Sequence, residues 1–564
     1  MSNLVSTASV APEKLALQRL YHWEREAPGR VVLTQPQAGG ALRDFTWGEV
    51  LGEVRRMAAH LRSLGYPPGS RIALLSKNCA HWLLADFAIW MAGHVSVPLY
   101  PTLAATTIRH ILEHSEARLL FVGKLDGWDV MRLSVAASLP CIGLPLAPPN
   151  DYPKWDAIVA ATPPLEGNPV RDGNELSTIM YTSGTTGVPK GVMHSFAGFA
   201  WALGTGLRRV PLGGDARMLS YLPLAHVAER ALIEHALLAT GMHVFFAESL
   251  DTFSADMQRA RPTVFFSVPR LWLKFQQAVD AKMPPAKLRL LLKIPIVGRI
   301  VSKKVLTALG LDACSFAAGG AAPMPPELLR WYERLGLSIS EVYGMTENCG
   351  VSHATLPGVS RPGTVGPAYE GVESRIDAAT GEIQMRSPGL MLGYYKEPEL
   401  TREAIGADGW LRTGDKGALD GEGNLRITGR VKDLFKTSKG KYVAPAPIED
   451  RLVMNSALEA CVVTGANLGQ PLGIVMLNAD AAKRAALPEG RAVLEVSLAQ
   501  HLTTVNDALD PHEQLDCLVV VAEPWSVENG FITPTFKVKR NRIEETYSAQ
   551  FERWIAARRP VVWA

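Results

Sequence analysis

Cysteine is scarce in this chain and scattered: six residues, at 79, 141, 314, 349, 461 and 517, with no paired spacing. That excludes a disulfide framework and a clustered zinc site, and predicts reduced thiols in a cytoplasmic protein. An excess of charge is missing too. The formal net charge is +3 over 564 residues, so nothing in the balance points to nucleic acid or to a strongly acidic partner. No apolar run reaches the ~20 residues that cross a bilayer. The most apolar window, 81–99, contains Asp86 and His94 and reads as a buried helix (82–93) running into a strand (95–99). The first eight residues lack the charged-then-apolar pattern of a signal peptide. Internal repeats and low-complexity tracts are absent. The length exceeds what one hydrophobic core serves, so two or more domains are expected.

What is present concentrates in Tyr181-Thr-Ser-Gly-Thr-Thr-Gly-Val-Pro-Lys190-Gly-Val192. Four hydroxyls (Thr182, Ser183, Thr185, Thr186), Gly184, Gly187 and Lys190 fall within nine residues. Glycines let successive backbone N–H groups converge on an anion. Hydroxyls add donors, and the lysine adds a mobile positive charge. This is the chemistry of a loop that holds polyphosphate. It is not a Walker A loop, whose lysine directly follows a glycine and precedes Ser or Thr.

Before this loop, strand and helix patterns alternate: 30–35, 71–75, 95–99 and 118–122 as strands, with helices at 106–116 and ending at Leu64. Thr46 and Glu49 match a capping box at the start of that last helix. Such alternation predicts a doubly wound parallel sheet. Residues 139–174 read as a connection. A helix (195–207) and strands (217–221, 261–270) follow the loop. His226 sits at a strand-to-helix corner in Leu222-Pro-Leu-Ala-His226. Residues 361–430 alternate in short strands and predict a small β-barrel. Residues 434–442 read as a hairpin with a basic turn. The whole is an α/β chain, with a large N-terminal domain (1–431) and a small α+β C-terminal domain (432–564).

The string from Tyr181 to Val192 resembles the signature of the adenylate-forming superfamily, which includes acyl-CoA synthetases, aryl-CoA ligases and adenylation domains. The family's other motifs follow in its order. The resemblance implies that Gly319, Gly320 and Ala321 in Ser-Phe-Ala-Ala-Gly319-Gly320-Ala-Ala form an adenine wall. It also implies that Tyr343 stacks on adenine beside Gly344, that Thr346 contacts the α-phosphate, and that Glu347 holds Mg2+. Asp415, in Thr413-Gly414-Asp415, aligns with the ribose ligand, and Arg430 with a residue reaching the ribose or α-phosphate. Lys432 aligns with the hinge of a mobile C-terminal domain. Lys439 and Gly440 fall on a hairpin that enters on the CoA side, with Lys441 beside the nucleotide. His226 aligns with a residue lining the passage from acyl pocket to nucleotide. The catalytic lysine of the family's Pro-x-x-Lys motif falls on Lys537, although Phe536 stands where many relatives have glycine.

Over about residues 15–545 the chain resembles long-chain and very-long-chain fatty acyl-CoA synthetases, in particular the bubblegum-type group. Ser76-Lys-Asn-Cys-Ala-His81-Trp and Tyr221-Leu-Pro-Leu-Ala-His-Val-Ala-Glu-Arg230 carry this likeness. The implied reaction consumes ATP, a fatty acid and CoA, with Mg2+. It makes acyl-AMP plus pyrophosphate, then acyl-CoA after the C-terminal domain rotates. Two alternatives stand beside it: an acyl-AMP ligase loading a carrier protein, and a non-catalytic nucleotide or lipid sensor. The sensor is expected to lose Lys537, Glu347 or Lys190, and all three are present. Residues 281–311 hold seven basic side chains and no acidic one, interleaved with Leu, Ile and Val. They read either as a solvated helical face or as a peripheral contact with an anionic membrane. Chain length of the acid and oligomeric state are not written in the sequence.

Overall fold

The computed structural model describes residues 9–183, 188–359, 361–527, 529–533 and 538–564, with the side chains of Ala38 and Ser183 outside that set. Its largest sheet has seven strands in the order Gly393–Tyr394, Pro189–Ser195, Leu176–Ser183, Val95–Leu99, Arg71–Leu75, Leu119–Val122 and Cys141–Gly143. From Leu176–Ser183 onward the pairing is parallel. The other two pairings are antiparallel. Two four-stranded sheets accompany it. One orders Leu42–Thr46, Val31–Pro36, His243–Phe246 and Arg217–Ser220; the other Val264–Ser267, Phe316–Gly320, Ile339–Tyr343 and His353–Ala354.

The helix Ala80–Ala92 is buried at every position. It shares a core with Ile72 and Leu74 of the seven-stranded sheet and with Val32, Leu33, Val244 and Phe246 of its neighbour. A helix covered on all sides needs no polar face, which is why this window is the most apolar in the chain. Gly93 ends it in the left-handed region at φ 93°, its N–H bonded to Ile89 and Trp90 carbonyls. The capping box at Thr46 is formed: Thr46 Oγ1 accepts from Glu49 N at 3.3 Å, and Thr46 N donates to Glu49 Oε2 at 2.7 Å.

Three elements differ from the sequence expectation. The segment 139–174 contains a sheet-edge strand, Cys141–Gly143, and a helix, Trp155–Ala161. The barrel expected over 361–430 is an open antiparallel sheet in the order Glu373–Ile376, Glu382–Arg386, Leu411–Leu419 and Leu425–Arg430. It does not recruit the strand Gly393–Tyr394, because that strand pairs with Pro189–Ser195 in the large sheet. Finally, the described ends of the hydroxyl-rich string are paired strand rather than loop: Thr182 pairs with Lys190 and Ser183 with Pro189.

Residues 435–564 build an α+β unit. Its sheet orders Leu458–Thr464, Leu472–Leu477, Leu518–Val520 and Val561–Trp563. Alternate side chains fill two cores: Val463, Val475 and Val520 in one, Val462, Ile474 and Val519 in the other. The basic hairpin pairs Phe435 with Val443 and Lys436 with Tyr442. Among the described residues no helix is long and apolar enough to cross a membrane.

Candidate active site

A cavity of about 1830 Å³ lies where the sheet ends, the antiparallel sheet and the C-terminal unit meet. Thr182, His226, Gly319, Ala321, Asp415 and Arg430 line it. So does the run from Tyr343 to Glu347, and Lys432 stands at its C-terminal side.

One cluster is built on Asp415. It pairs with Arg430 across adjacent antiparallel strands. Arg430 Nε donates to Asp415 Oδ1 at 3.0 Å, and the Tyr343 hydroxyl donates to Oδ2 at 2.7 Å. Burial and the Asp415 charge both push the Tyr343 phenol upward, so it stays a donor. Both carboxylate oxygens are therefore held at the cavity wall in one orientation.

A second cluster joins Lys190 to Glu347 through Tyr394. The Tyr394 hydroxyl donates to Glu347 Oε1 at 2.8 Å, and Lys190 Nζ lies 5.1 Å from the Tyr394 ring centroid. Tyr394 has no signature in the sequence. It reaches the site because its short strand pairs with the strand that carries Lys190. Glu347 is on the turn Thr346–Asn348, whose Glu347 carbonyl accepts from Met391 N at 2.8 Å. Among the described residues no group of three His, Cys, Asp or Glu side chains could hold a metal by itself. A single carboxylate beside a polyphosphate site fits Mg2+, which takes one or two carboxylates and completes its shell with water and phosphate oxygens.

Gly319 and Ala321 line the cavity, and Ala321 adopts φ 66°. Gly320 instead backs onto the next strand: a Cβ there would lie 2.6 Å from the Val342 carbonyl oxygen. Gly344 is equally confined, with a Cβ falling 2.2 Å from the Gly350 oxygen. His226 caps the turn Val227–Glu229, its Nδ1 accepting from Ala228 N at 3.2 Å.

Gly184, Thr185, Thr186, Gly187 and Lys537 lie outside the described residues, as does the side chain of Ser183. The flanks of Lys537 are in place: Ile532, Thr533, Val538 and Lys539 line the cavity, with Ile532 bridged to Val538. Lys439, Gly440 and Lys441 are exposed and are not brought to the cavity wall. Their hairpin is tied to its own unit by Ser438 N to Leu468 O and Asn467 N to Lys436 O, both 2.9 Å. In this conformation Lys441 therefore does not stand beside the nucleotide position, contrary to expectation.

Three further residues escaped the sequence reading. Glu341 is 5% exposed and faces the cavity, and its Oε2 has no hydrogen-bond partner among the described residues. Burial pushes its carboxyl up to about 8. Asp450, on the C-terminal side of the cavity, is pushed up to about 7 by burial and by Glu449. His194, four residues beyond Lys190, is fully buried, and burial drives its ring down to about 4, hence neutral. The charge states of these three are not written in the local sequence, because their environments come from distant segments.

Comparison with known proteins agrees with this architecture. A family model described as AMP-binding enzyme matches residues 20–395, and one described as AMP-binding enzyme C-terminal domain matches 432–558. The long-chain-fatty-acid–CoA ligase FadD15 of Mycobacterium bovis is 30% identical, covering 94% of this chain and 96% of the relative. The long-chain-fatty-acid–CoA ligase ACSBG2 of Rattus norvegicus, a bubblegum-type protein, is 27% identical, covering 90% and 88%. The adenylation domain of a carboxylate reductase from Mycobacterium chelonae superposes with a TM-score of 0.80 at 22% identity, covering 97% of this chain and 92% of that one. With the first family model alone spanning more than half of its residues, the chain belongs to the AMP-binding enzyme family.

Proposed function

We propose that this protein is an ATP-dependent ligase that joins a long-chain fatty acid to CoA through an acyl-adenylate, with 1–431 and 432–564 as its two bodies. The observation that carries the reading is one continuous cavity with two kinds of wall. The polar wall is the Asp415 cluster and the Thr346-Glu347 turn; the apolar wall is Ala202, Leu203, Gly206, Leu207, Ala231 and Leu232. A nucleotide and an alkyl chain need these two surfaces side by side. The relatives named as long-chain-fatty-acid–CoA ligases support the same substrate class.

In the first half-reaction the fatty carboxylate oxygen attacks the α-phosphorus of ATP and pyrophosphate leaves. The obstacle is repulsion between anions, so catalysis is positioning plus charge. Asp415 accepts the two ribose hydroxyls, with Tyr343 and Arg430 fixing its orientation. Lys190 and the hydroxyl-rich string hold the β- and γ-phosphates, Thr346 contacts the α-phosphate, and Lys537 bridges it to the carboxylate. Mg2+ on Glu347 would further neutralise the phosphates. In the second half-reaction the CoA thiol attacks the acyl carbon and AMP leaves. Rotation about Lys432 withdraws Lys537 and brings Lys439, Gly440 and Lys441 in.

Product mass spectrometry with ATP, Mg2+, CoA and a panel of acids from acetate to C24 tests the reading. Acyl-CoA with an optimum at C14 or longer is expected. Acyl-AMP without thioester moves the answer to a ligase that loads a carrier protein, and no product at all overturns the enzymatic reading. Lys537→Ala is expected to cut adenylation on the order of 10²- to 10³-fold while sparing CoA attack on supplied acyl-AMP. Equal loss of both steps refutes that assignment.

A second reading concerns where the fatty acid is collected. The helices Pro285–Leu292 and Pro295–Ala308 expose Leu290 (64%), Ile296 (75%) and Ile300 (63%) among Lys287, Arg289, Lys293, Arg299, Lys303 and Lys304. Apolar side chains flanked by cations suit peripheral contact with an anionic bilayer better than a solvated face. Lipid-dependent sedimentation tests this.

A further inference from the structure

We propose that His194 is a positioning residue that locks the Thr346-Glu347 turn to the strand carrying Lys190; this rests on the ligase reading above. His194 and Lys190 share the strand Pro189–Ser195. His194 Nε2 lies 2.7 Å from the Thr346 carbonyl oxygen, and Nδ1 lies 3.3 Å from Cys349 Sγ. Both side chains are fully buried.

These partners determine the proton positions. A carbonyl only accepts, so Nε2 carries the hydrogen. The neutral ring then has a bare Nδ1, and the Cys349 thiol donates to it. The result is a directed chain: Cys349 S–H to His194 Nδ1, then His194 Nε2–H to the Thr346 oxygen. The same carbonyl accepts from Cys349 N at 3.2 Å, so two donors fix the peptide plane between Thr346 and Glu347. That plane sets the direction of both side chains, which are assigned to the α-phosphate and to Mg2+. Phe199 packs against the imidazole, with ring centroids 5.1 Å apart, and holds it in place. One strand therefore spaces the polyphosphate lysine and the α-phosphate turn at a fixed separation. His194 touches no substrate in this arrangement. It acts through the turn.

The test compares His194→Met, which keeps bulk but no donor, with His194→Gln, whose amide N–H replaces Nε2–H. ATP–pyrophosphate exchange with palmitate reports adenylation, and CoA attack on supplied palmitoyl-AMP reports the second step. Expected for His194→Met is a tenfold or greater loss in exchange and a several-fold rise in the Mg2+ concentration for half-maximal rate. Thiolysis should stay within about twofold, and His194→Gln should recover most of the exchange. Equal loss in both half-reactions, an unchanged Mg2+ dependence, or no recovery in His194→Gln would overturn the proposal. If His194→Met does not fold, Cys349→Ala decides: removing the donor to Nδ1 frees the tautomer, and exchange should fall two- to fivefold with the same Mg2+ signature, whereas unchanged exchange overturns the idea. Failure of the ligase reading itself appears differently, as no exchange by the unmodified protein with any fatty acid, and it takes this inference with it.

Discussion

Gly344 shows how little room the site leaves at single positions. An added Cβ would meet the backbone of Gly350, which cannot rotate away as a side chain can. Gly344→Ala is therefore expected to displace the turn that carries Thr346 and Glu347, and a misplacement of about 1 Å costs on the order of 10²-fold in rate. Pyrophosphate exchange near the unmodified rate would contradict this. Glu229 offers a test in pH. It is fully buried, its Oε1 accepting from the Ser220 hydroxyl and Tyr221 N at 2.9 Å each. Burial raises its carboxyl from 4.5 to about 8. Between those values the folded state keeps a proton that the unfolded chain has released. Its contribution to stability is thus full below pH 4.5 and is lost as the pH rises through 8, a loss on the order of a few kcal/mol. Thermal unfolding should show Tm falling from pH 5 to 8, and Glu229→Gln should flatten the fall. The Glu229 carboxylate lies in Tyr221-Leu-Pro-Leu-Ala-His-Val-Ala-Glu, a string legible as a family motif. Its raised pKa was not legible, because burial is supplied by packing from elsewhere.

Elements with strong local signals were read closely. The window 81–99 resolves into Ala80–Ala92 and Val95–Leu99, because a glycine stop and a β-branched strand start are local chemistry. Residues 361–430 form a four-stranded antiparallel sheet instead of the expected small barrel, because strand pairing is not local: period-two alternation says that a segment is extended, never which edge it joins. The basic helices Pro285–Leu292 and Pro295–Ala308 are the elements of the proposed membrane contact. Vesicles containing about 30% phosphatidylserine are expected to sediment the protein, with binding weakening as salt rises. Ile296→Glu with Ile300→Glu should abolish sedimentation while leaving turnover of detergent-dispersed palmitate intact. Equal sedimentation with neutral vesicles, or none with either, would return these helices to a solvated surface.

At the scale of the molecule, ion pairs tie the C-terminal unit to the N-terminal part of the chain. Arg270 pairs with Glu459, and Lys274 Nζ lies 3.9 Å from the same carboxylate. Both cations belong to the helix Pro269–Lys282, and Glu459 to the strand Leu458–Thr464. This orientation presents Ile532, Thr533 and Val538 to the cavity and keeps the basic hairpin outside. Under the proposed mechanism this orientation belongs to adenylation rather than thiolysis. Glu459→Gln should weaken the anchor, lowering pyrophosphate exchange about two- to fivefold while attack on supplied acyl-AMP holds or rises, as expected for a partly exposed ion pair. Parallel loss of both rates would show that the pair only stabilises the fold.

The sequence by itself determined the family, the reaction class and the order of the parts, because each motif packs its chemistry into a few consecutive residues. Lys190, Thr346, Glu347, Asp415 and Arg430 could all be named without coordinates. Only the tertiary structure decided which of them meet. Tyr394 comes between Lys190 and Glu347 through an edge strand, His194 reaches Thr346 across the fold, and Glu341 loses its solvent to the cavity wall. Those contacts join segments many residues apart, and their energies depend on burial and pairing that no local pattern encodes.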